Sequence, residues 1–188
     1  MGAWILVGMM GAGKSSVGRK LAELSGRPFV DTDFLIQERF LRPVAQIFRV
    51  YGEEAFRDHE TSVLAGLTED PIVLSTGGGI VGREENWTHM RRIGRTIYLK
   101  SSPETLIERL AESKKRRPLL ETEDWQSSVR EILTRREPLY DRAEIHISLD
   151  EIAIEDAAQT ILTLLNEIEA TESKNTSQEM SSREIGSR

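Results

Sequence analysis

A glycine-rich segment near the N-terminus has the residues and spacing of a phosphate-binding loop. Residues 8–15 read GMMGAGKS, which fits glycine, any four residues, then glycine, lysine and serine. The glycines let the backbone wrap around an anion, and the helix that follows directs the positive end of its dipole at the same anion. In this pattern Lys14 reaches the β- and γ-phosphates and the Ser15 hydroxyl binds Mg²⁺. The motif therefore predicts binding of a nucleoside triphosphate with magnesium.

Two further segments combine acidic residues or glycines with the ends of apolar runs. Residues 31–33 read Asp-Thr-Asp, and on an extended backbone the two carboxylates point to opposite sides. One carboxylate can then face the metal while the other faces a second ligand. Residues 75–79 read STGGG and permit close approach of the backbone to a bound molecule. An ordinary polar turn and a plain flexible loop are the structural alternatives.

Three arginines are candidates for binding anions, and each has a structural alternative. Arg57 lies on a predicted helix among acidic neighbours, with which it could simply pair. Arg117 lies in the polar stretch 113–124, whose composition predicts a mobile lid or a solvated loop. Arg136 stands at a helix end broken by Pro138, where a cation also complements the helix dipole.

The elements that position these residues alternate between strand and helix along the chain. Such alternation predicts an α/β fold of three layers, with an open, parallel, five-stranded sheet flanked by helices. Ligands bind beyond the carboxyl ends of the strands in these sheets, so the three motifs are expected at one edge. The predicted strands are residues 4–7, 29–30, 72–75, 96–100 and 145–149, and the predicted helices are residues 16–25, 53–67, 104–112 and 151–170.

Length and composition limit the classes of function. The 188 residues suit one domain, predicted at residues 1–170, and the polar residues 171–188 are predicted to be a disordered tail. The net charge of −6 argues against nucleic-acid binding, and no apolar run approaches the roughly 18 residues of a membrane span. There is no cysteine, and the first strand leaves no room for a signal peptide. We expect a cytoplasmic, monomeric enzyme without nucleic-acid or membrane partners.

Taken together, in this order and at these separations, the motifs resemble the shikimate kinase family, which belongs to the P-loop kinases similar to nucleoside monophosphate kinases. The resemblance extends from about residue 4 to residue 165, and no functional position of the family pattern is missing. A phosphate loop is widespread, whereas the combination of DTD, GGG and R-x-P-L-Y is specific. The matching segments are GMMGAGKSS (8–16), DTD (31–33), FR (56–57), TGGG (76–79), RPLL (117–120) and REPLY (136–140).

The resemblance implies a reaction and a nucleotide site. The family transfers the γ-phosphoryl group of ATP to the 3-hydroxyl of shikimate, on the route to chorismate and aromatic amino acids. Ser15 would bind Mg²⁺ directly, and Asp31 would support the metal through water. The preference for adenine comes from the resemblance alone. The implied ATP-binding residues are Gly11, Ala12, Gly13, Lys14, Ser15, Ser16 and Arg117.

The resemblance also implies which residues bind shikimate and which act on the transferred group. Asp33 would accept a hydrogen bond from the attacking hydroxyl and could take its proton. Arg57 and Arg136 would bind the shikimate carboxylate, and Gly78 would offer a backbone contact. Lys14 would act on the phosphates, and Arg117 would close over ATP from the lid and stabilise the charge on the transferring group.

Other functions remain open at this point. A gluconate kinase or a nucleoside monophosphate kinase would share the architecture, although a monophosphate acceptor needs further cations and a base pocket. A GTP-dependent switch protein needs an Asn-Lys-x-Asp motif, which does not occur in this chain. A non-catalytic nucleotide-binding module is disfavoured because every reactive position holds a competent residue.

Overall fold

The computed structural model describes the backbone of residues 2–113 and 123–185, and the side chains of these ranges up to residue 174. Its centre is a five-stranded sheet in the order β2-β3-β1-β4-β5, and every neighbouring pair is parallel. The predicted sheet is confirmed, including the exposed edge position of the last strand. The strands are β1 (Ala3–Val7), β2 (Phe29–Asp31), β3 (Val73–Ser75), β4 (Gly94–Lys100) and β5 (Ile145–Ser148).

Helices cover both faces of the sheet. In β1, Ile5 and Val7 pack into one core cluster with the helices on one face, whereas Trp4 and Leu6 pack into another with the first and last helices on the other face. This alternation follows from the two-residue period of a strand buried on both faces. The described helices are α1 (Lys14–Ser25), α2 (Thr32–Phe40), α3 (Val44–Gly66), α4 (Glu84–Ile93), α5 (Pro103–Glu112), α6 (Trp125–Tyr140) and α7 (Ile154–Ile185).

Helices α2 and α3 form a small unit beside the sheet with a hydrophobic cluster of its own. Ile36, Ile47 and Phe56 form its buried centre. Helix α3 is interrupted at Gly52, whose φ of 83° and ψ of 169° are non-helical. This backbone conformation is strained for residues that have a β-carbon, whereas glycine adopts it readily. The predicted helix over 53–67 corresponds to the half of α3 that follows this break.

The segment 31–33 is not extended as the sequence predicts. Asp31 ends β2 and caps α2, because its Oδ1 accepts hydrogen bonds from the backbone N–H groups of Asp33 (3.0 Å) and Phe34 (3.3 Å). An aspartate in this role satisfies N–H groups that a helix start leaves unpaired. Asp33 therefore lies in the first turn of a helix, directly after the carboxyl end of the sheet.

Helix α7 extends further than the composition predicts. The expected tail begins at residue 171, whereas the backbone is helical up to Ile185. The segment 154–185 contains neither proline nor glycine, so no residue in it breaks a helix before Gly186. Glu172 pairs with Arg95 on the sheet at 2.6 Å. A domain limit at residue 170 stays a prediction. Within the described helices, none is long and apolar enough to span a membrane.

Candidate active site

The phosphate loop connects β1 to α1 at the centre of the sheet edge. Gly11 and Gly13 adopt φ values of 85° and 95°, so the turn uses backbone conformations that favour glycine. Gly13 is also the N-cap of α1, and no side chain caps that helix start. The first N–H groups of α1 and the positive end of its dipole therefore face the loop, as an anion site requires.

The side chain of Lys14 lies within the loop. Its ammonium donates hydrogen bonds to the carbonyl oxygens of Gly8 (2.8 Å) and Met9 (3.0 Å), and the residue is only 8% exposed. A buried ammonium that is held by loop carbonyl oxygens is well placed to pair with phosphate oxygens. Ala12 is buried beside it, whereas Ser16 is exposed on the first turn of α1.

Oxygen atoms from the first turn of α1 and from the ends of β2 and β3 meet beside the loop. The hydroxyl of Ser15 donates a hydrogen bond to Oδ2 of Asp31 at 2.9 Å and lies 3.3 Å from the hydroxyl of Ser75. Mg²⁺ prefers hard oxygen ligands and retains water and phosphate oxygens in kinase sites, so these groups fit the ion. In the described ranges no three acidic, histidine or cysteine side chains form a metal cluster. A divalent ion here would therefore depend on ligands from the nucleotide and from water.

Gly77 brings α2 and α3 together at the end of β3. The hydroxyl of Thr32 accepts a hydrogen bond from the N–H of Gly77 at 3.0 Å. A β-carbon at Gly77 would overlap Oε1 of Glu60 and would lie 2.8 Å from Oδ1 of Asp33. Both carboxylates therefore pack against this glycine, and Asp33 lies at the rim beside the phosphate loop.

Arg57 lies between two acidic residues of its own helix. It donates one hydrogen bond to Glu60 at 2.6 Å and two to Glu53, at 2.8 and 3.3 Å. Burial lowers the pKa of Arg57, but the two carboxylates raise it by more. The guanidinium faces Gly79 so closely that a β-carbon there would overlap it. Arg57 is thus a fixed cation against the glycine loop.

Glu60 is fully buried in this cluster of charges. Burial raises its pKa to about 7, against the opposing effect of Arg57. Asp33 raises the pKa further and Arg136 lowers it, so both side chains lie within electrostatic range of Glu60. The Oε1 atom of Glu60 has no hydrogen-bond partner among the described residues.

Helix α6 supplies the opposite wall of the site. Arg136 donates a hydrogen bond to the carbonyl oxygen of Gly78 at 3.3 Å, and the hydroxyl of Tyr140 donates one to the same atom at 2.5 Å. Pro138 lies inside α6, two residues before its end, so the predicted helix end is close to the observed one. The structure thus brings Asp33, Arg57, Gly78 and Arg136 to one edge. Arg117 and most of the predicted lid lie outside the described residues.

Comparisons with known proteins point to one family. The family model described as shikimate kinase matches residues 10–166. The curated shikimate kinase of Symbiobacterium thermophilum is 43% identical over 87% of this chain and 95% of its own length. The solved shikimate kinase of Acinetobacter baumannii, in complex with shikimate, is 39% identical, covers 89% of this chain and 94% of its own, and has a TM-score of 0.84.

The chain belongs to the shikimate kinase family.

A gluconokinase structure from Sinorhizobium meliloti is also similar, but at a lower level. It is 19% identical, covers 92% of this chain and 97% of its own, and has a TM-score of 0.54. A likeness of this size shows a shared fold only. The predicted membership of the shikimate kinases is therefore confirmed, and the alternative of a gluconate kinase is less supported.

Glu53, Glu60 and Tyr140 are among the side chains of this shikimate kinase site that were not predicted as site residues. Glu53 and Glu60 contact Arg57 from four residues before and three residues after it, a helical spacing visible in the sequence. Tyr140 belongs to the predicted motif REPLY, but no pattern in the sequence indicates that its hydroxyl reaches Gly78, 62 residues earlier.

Proposed function

We propose that this member of the shikimate kinase family transfers the γ-phosphoryl group of ATP to the 3-hydroxyl of shikimate, giving shikimate 3-phosphate and ADP. The observation that carries the proposal is the position of two arginines around Asp33. Arg57 and Arg136 both lower the pKa of the buried Glu60. The carboxylates of Glu60 and Asp33 both pack against Gly77. If these cations bind the carboxylate of the shikimate ring, a hydroxyl on the same ring would lie near Asp33.

The acceptor is recognised by charge and planarity. A guanidinium presents a planar set of donors that matches a carboxylate, so Arg57 and Arg136 would bind the shikimate carboxylate. Gly78 would offer a backbone contact, because its segment has no side chain to block the approach. A nucleoside monophosphate, with about two negative charges on its phosphate, would occupy both cations and would also need a separate pocket for its base.

Phosphoryl transfer requires in-line positioning and charge neutralisation more than covalent chemistry. The N–H groups of residues 11–16 and the ammonium of Lys14 would hold the ATP phosphates, at the loop geometry described above. Ser15 and Asp31 would hold Mg²⁺, directly and through water, and the ion would neutralise charge on the phosphates. Arg117 would add a cation from the lid and help to exclude water.

Asp33 is proposed as the group that takes the proton. Its carboxylate lies at the first turn of α2, beside the glycine loop and next to the strand end that carries Asp31. There it can accept a hydrogen bond from the attacking hydroxyl and receive the proton as the new phosphate ester bond forms. A cytoplasmic location, a monomeric state and the absence of nucleic-acid and membrane partners stay predictions from composition.

An assay of ADP release, with and without shikimate, tests the proposal in the wild type and in Asp33→Asn. The wild type should release ADP only with shikimate and Mg²⁺ present. Asp33→Asn should lower kcat by roughly 10²- to 10⁴-fold, since a general base contributes about that much. Its affinity for ATP, measured by calorimetry, should stay the same.

Gluconate, quinate and nucleoside monophosphates serve as alternative acceptors in the same assay. A higher kcat/KM for any of these acceptors than for shikimate would refute the assigned substrate. Equal kcat in Asp33→Asn and the wild type would remove Asp33 from the mechanism while leaving the substrate assignment intact.

A further inference from the structure

We propose that Tyr140 is a positioning residue for the acceptor: its hydroxyl holds the carbonyl of Gly78, so that Arg136 is free to bind the carboxylate of the substrate. The inference rests on the proposed function and concerns the same site. Tyr140 lies on α6, one helical turn after Arg136, so both side chains leave the same face of the helix.

Two donors share one acceptor at this point. The hydroxyl of Tyr140 lies 2.5 Å from the carbonyl oxygen of Gly78, whereas Nη1 of Arg136 lies 3.3 Å from the same oxygen. The shorter bond dominates, and the longer one lies near the distance limit of a hydrogen bond. If Arg136 leaves this carbonyl, the carbonyl retains its hydrogen bond from Tyr140. No buried acceptor is then left without a donor, which would be costly in a protein interior.

The ring of Tyr140 is rigidly held. It is completely buried and stacks on Tyr98 with 5.2 Å between the ring centroids, while its hydroxyl lies 4.0 Å from the sulfur of Met9 in the phosphate loop. Burial raises the pKa of the Tyr140 hydroxyl to about 12, against the opposing effect of Arg136. The hydroxyl is therefore protonated at neutral pH and remains a hydrogen-bond donor.

Fixing the carbonyl of Gly78 also fixes the peptide plane between Gly78 and Gly79. The described peptide bonds are trans, so the N–H of Gly79 points away from Tyr140. Gly79 in turn packs against the guanidinium of Arg57. The Tyr140 hydroxyl is thus connected to both carboxylate-binding arginines, through a shared acceptor on one side and a packed glycine on the other.

The experiment compares Tyr140→Phe with a matched control, Tyr98→Phe, in the full-length protein. Phenylalanine retains the volume and the ring stack in both variants and removes only a hydroxyl. Tyr140→Phe should raise the KM for shikimate roughly 3- to 10-fold, the range expected for losing one buried hydrogen bond, and should leave the KM for ATP unchanged. Calorimetric titration with shikimate should show the same fold loss of affinity. Tyr98→Phe should match the wild type in both measurements.

A double variant tests whether Tyr140 acts through Arg136. The effects of Tyr140→Phe and Arg136→Lys on shikimate affinity should be non-additive, because both changes act on one carbonyl. Additive effects, an unchanged shikimate KM in Tyr140→Phe, or an equal increase in Tyr98→Phe would each overturn the inference. Absence of shikimate-dependent ADP release in the wild type would instead refute the proposed function, so the two failures are distinguishable.

Discussion

Two opposing physical effects act on the pKa of the Glu60 side chain. Removing a carboxylate from water favours its protonated form, while the adjacent guanidinium of Arg57 favours the ionised form. Burial has the larger effect and raises the pKa to about 7, with Asp33 adding to the increase and Arg136 opposing it. A glutamate of this kind changes charge near neutral pH, inside the proposed acceptor site.

The stability of the protein should reflect this titration. The folded-state pKa lies above the ordinary value of 4.5, so the folded state binds more protons between these values and stability falls as pH rises through this window. Glu60→Gln cannot ionise. Its free energy of unfolding relative to the wild type should therefore increase by on the order of 2 kcal/mol between pH 5 and pH 8. Urea denaturation at both pH values measures the difference.

Glu53→Gln is the control for this measurement, because it removes the other acidic partner of Arg57. Glu53 is 47% exposed, and solvent-exposed ion pairs contribute little to stability. Its difference from the wild type should therefore be small at both pH values. A Glu60→Gln difference that does not vary with pH would show that Glu60 does not titrate in this window.

Among individual residues, local patterns in the sequence predicted some members of the site and not others. Lys14 and Ser15 belong to a contiguous motif whose chemistry is fixed by spacing, and the structure places them at the phosphate loop. Tyr140 could not be predicted as a site residue, because its contact joins two segments that only the folded sheet brings together. The roles of the individual site residues remain proposals.

The glycine loop after β3 and helix α3 are matched in shape. The guanidinium of Arg57 lies against the Cα of Gly79. Gly79→Ala should displace Arg57 and raise the KM for shikimate roughly 10-fold or more, since overpacking a close contact shifts side chains and commonly costs about 1–3 kcal/mol. The KM for ATP should change little, because the phosphate loop belongs to a different segment. Steady-state kinetics with each substrate varied in turn give both constants.

Gly82→Ala is the matched control for Gly79→Ala, since it lies three residues later in the same segment. A β-carbon at Gly82 would meet nothing within 4 Å, so its kinetics should equal those of the wild type. An unchanged shikimate KM in Gly79→Ala would mean that Arg57 can move without loss of binding. Equal effects of the two alanines would indicate a general effect on the segment.

Elements with strong local signals were predicted, and elements defined by contacts were not. The strands were predicted from apolar runs bounded by turn residues, and α5 from Ser102 at its N-cap followed by proline. Helix α2 was not predicted because Asp31 was assigned to an extended segment, although aspartate is also a common N-cap. Helix α4 is an exception, because it was not predicted although Trp87, Met90 and Ile93 recur at helical spacing and are buried on one face.

For the molecule as a whole, the sheet needs cover on the face opposite α3 to α6, and α7 supplies it together with α1. The N-terminal half of α7 carries the buried face, with Ala158, Ile161 and Leu165 packed in one core cluster. Beyond residue 170 the sequence offers only Met180 and Ile185 as large apolar residues. Helical backbone alone adds little stability without such packing.

The two halves of α7 should therefore differ in their importance for stability. Deletion of residues 175–188 should change the Tm by no more than about 2 °C, because it retains both the buried face and the ion pair between Arg95 and Glu172. Leu165→Ala should cost about 2–5 kcal/mol, since it leaves a cavity at a fully buried position. Thermal and urea unfolding measure both, with the KM for shikimate as a check that the site is intact. A deletion as destabilising as Leu165→Ala would place the end of the domain beyond residue 174 and would refute the predicted limit at residue 170.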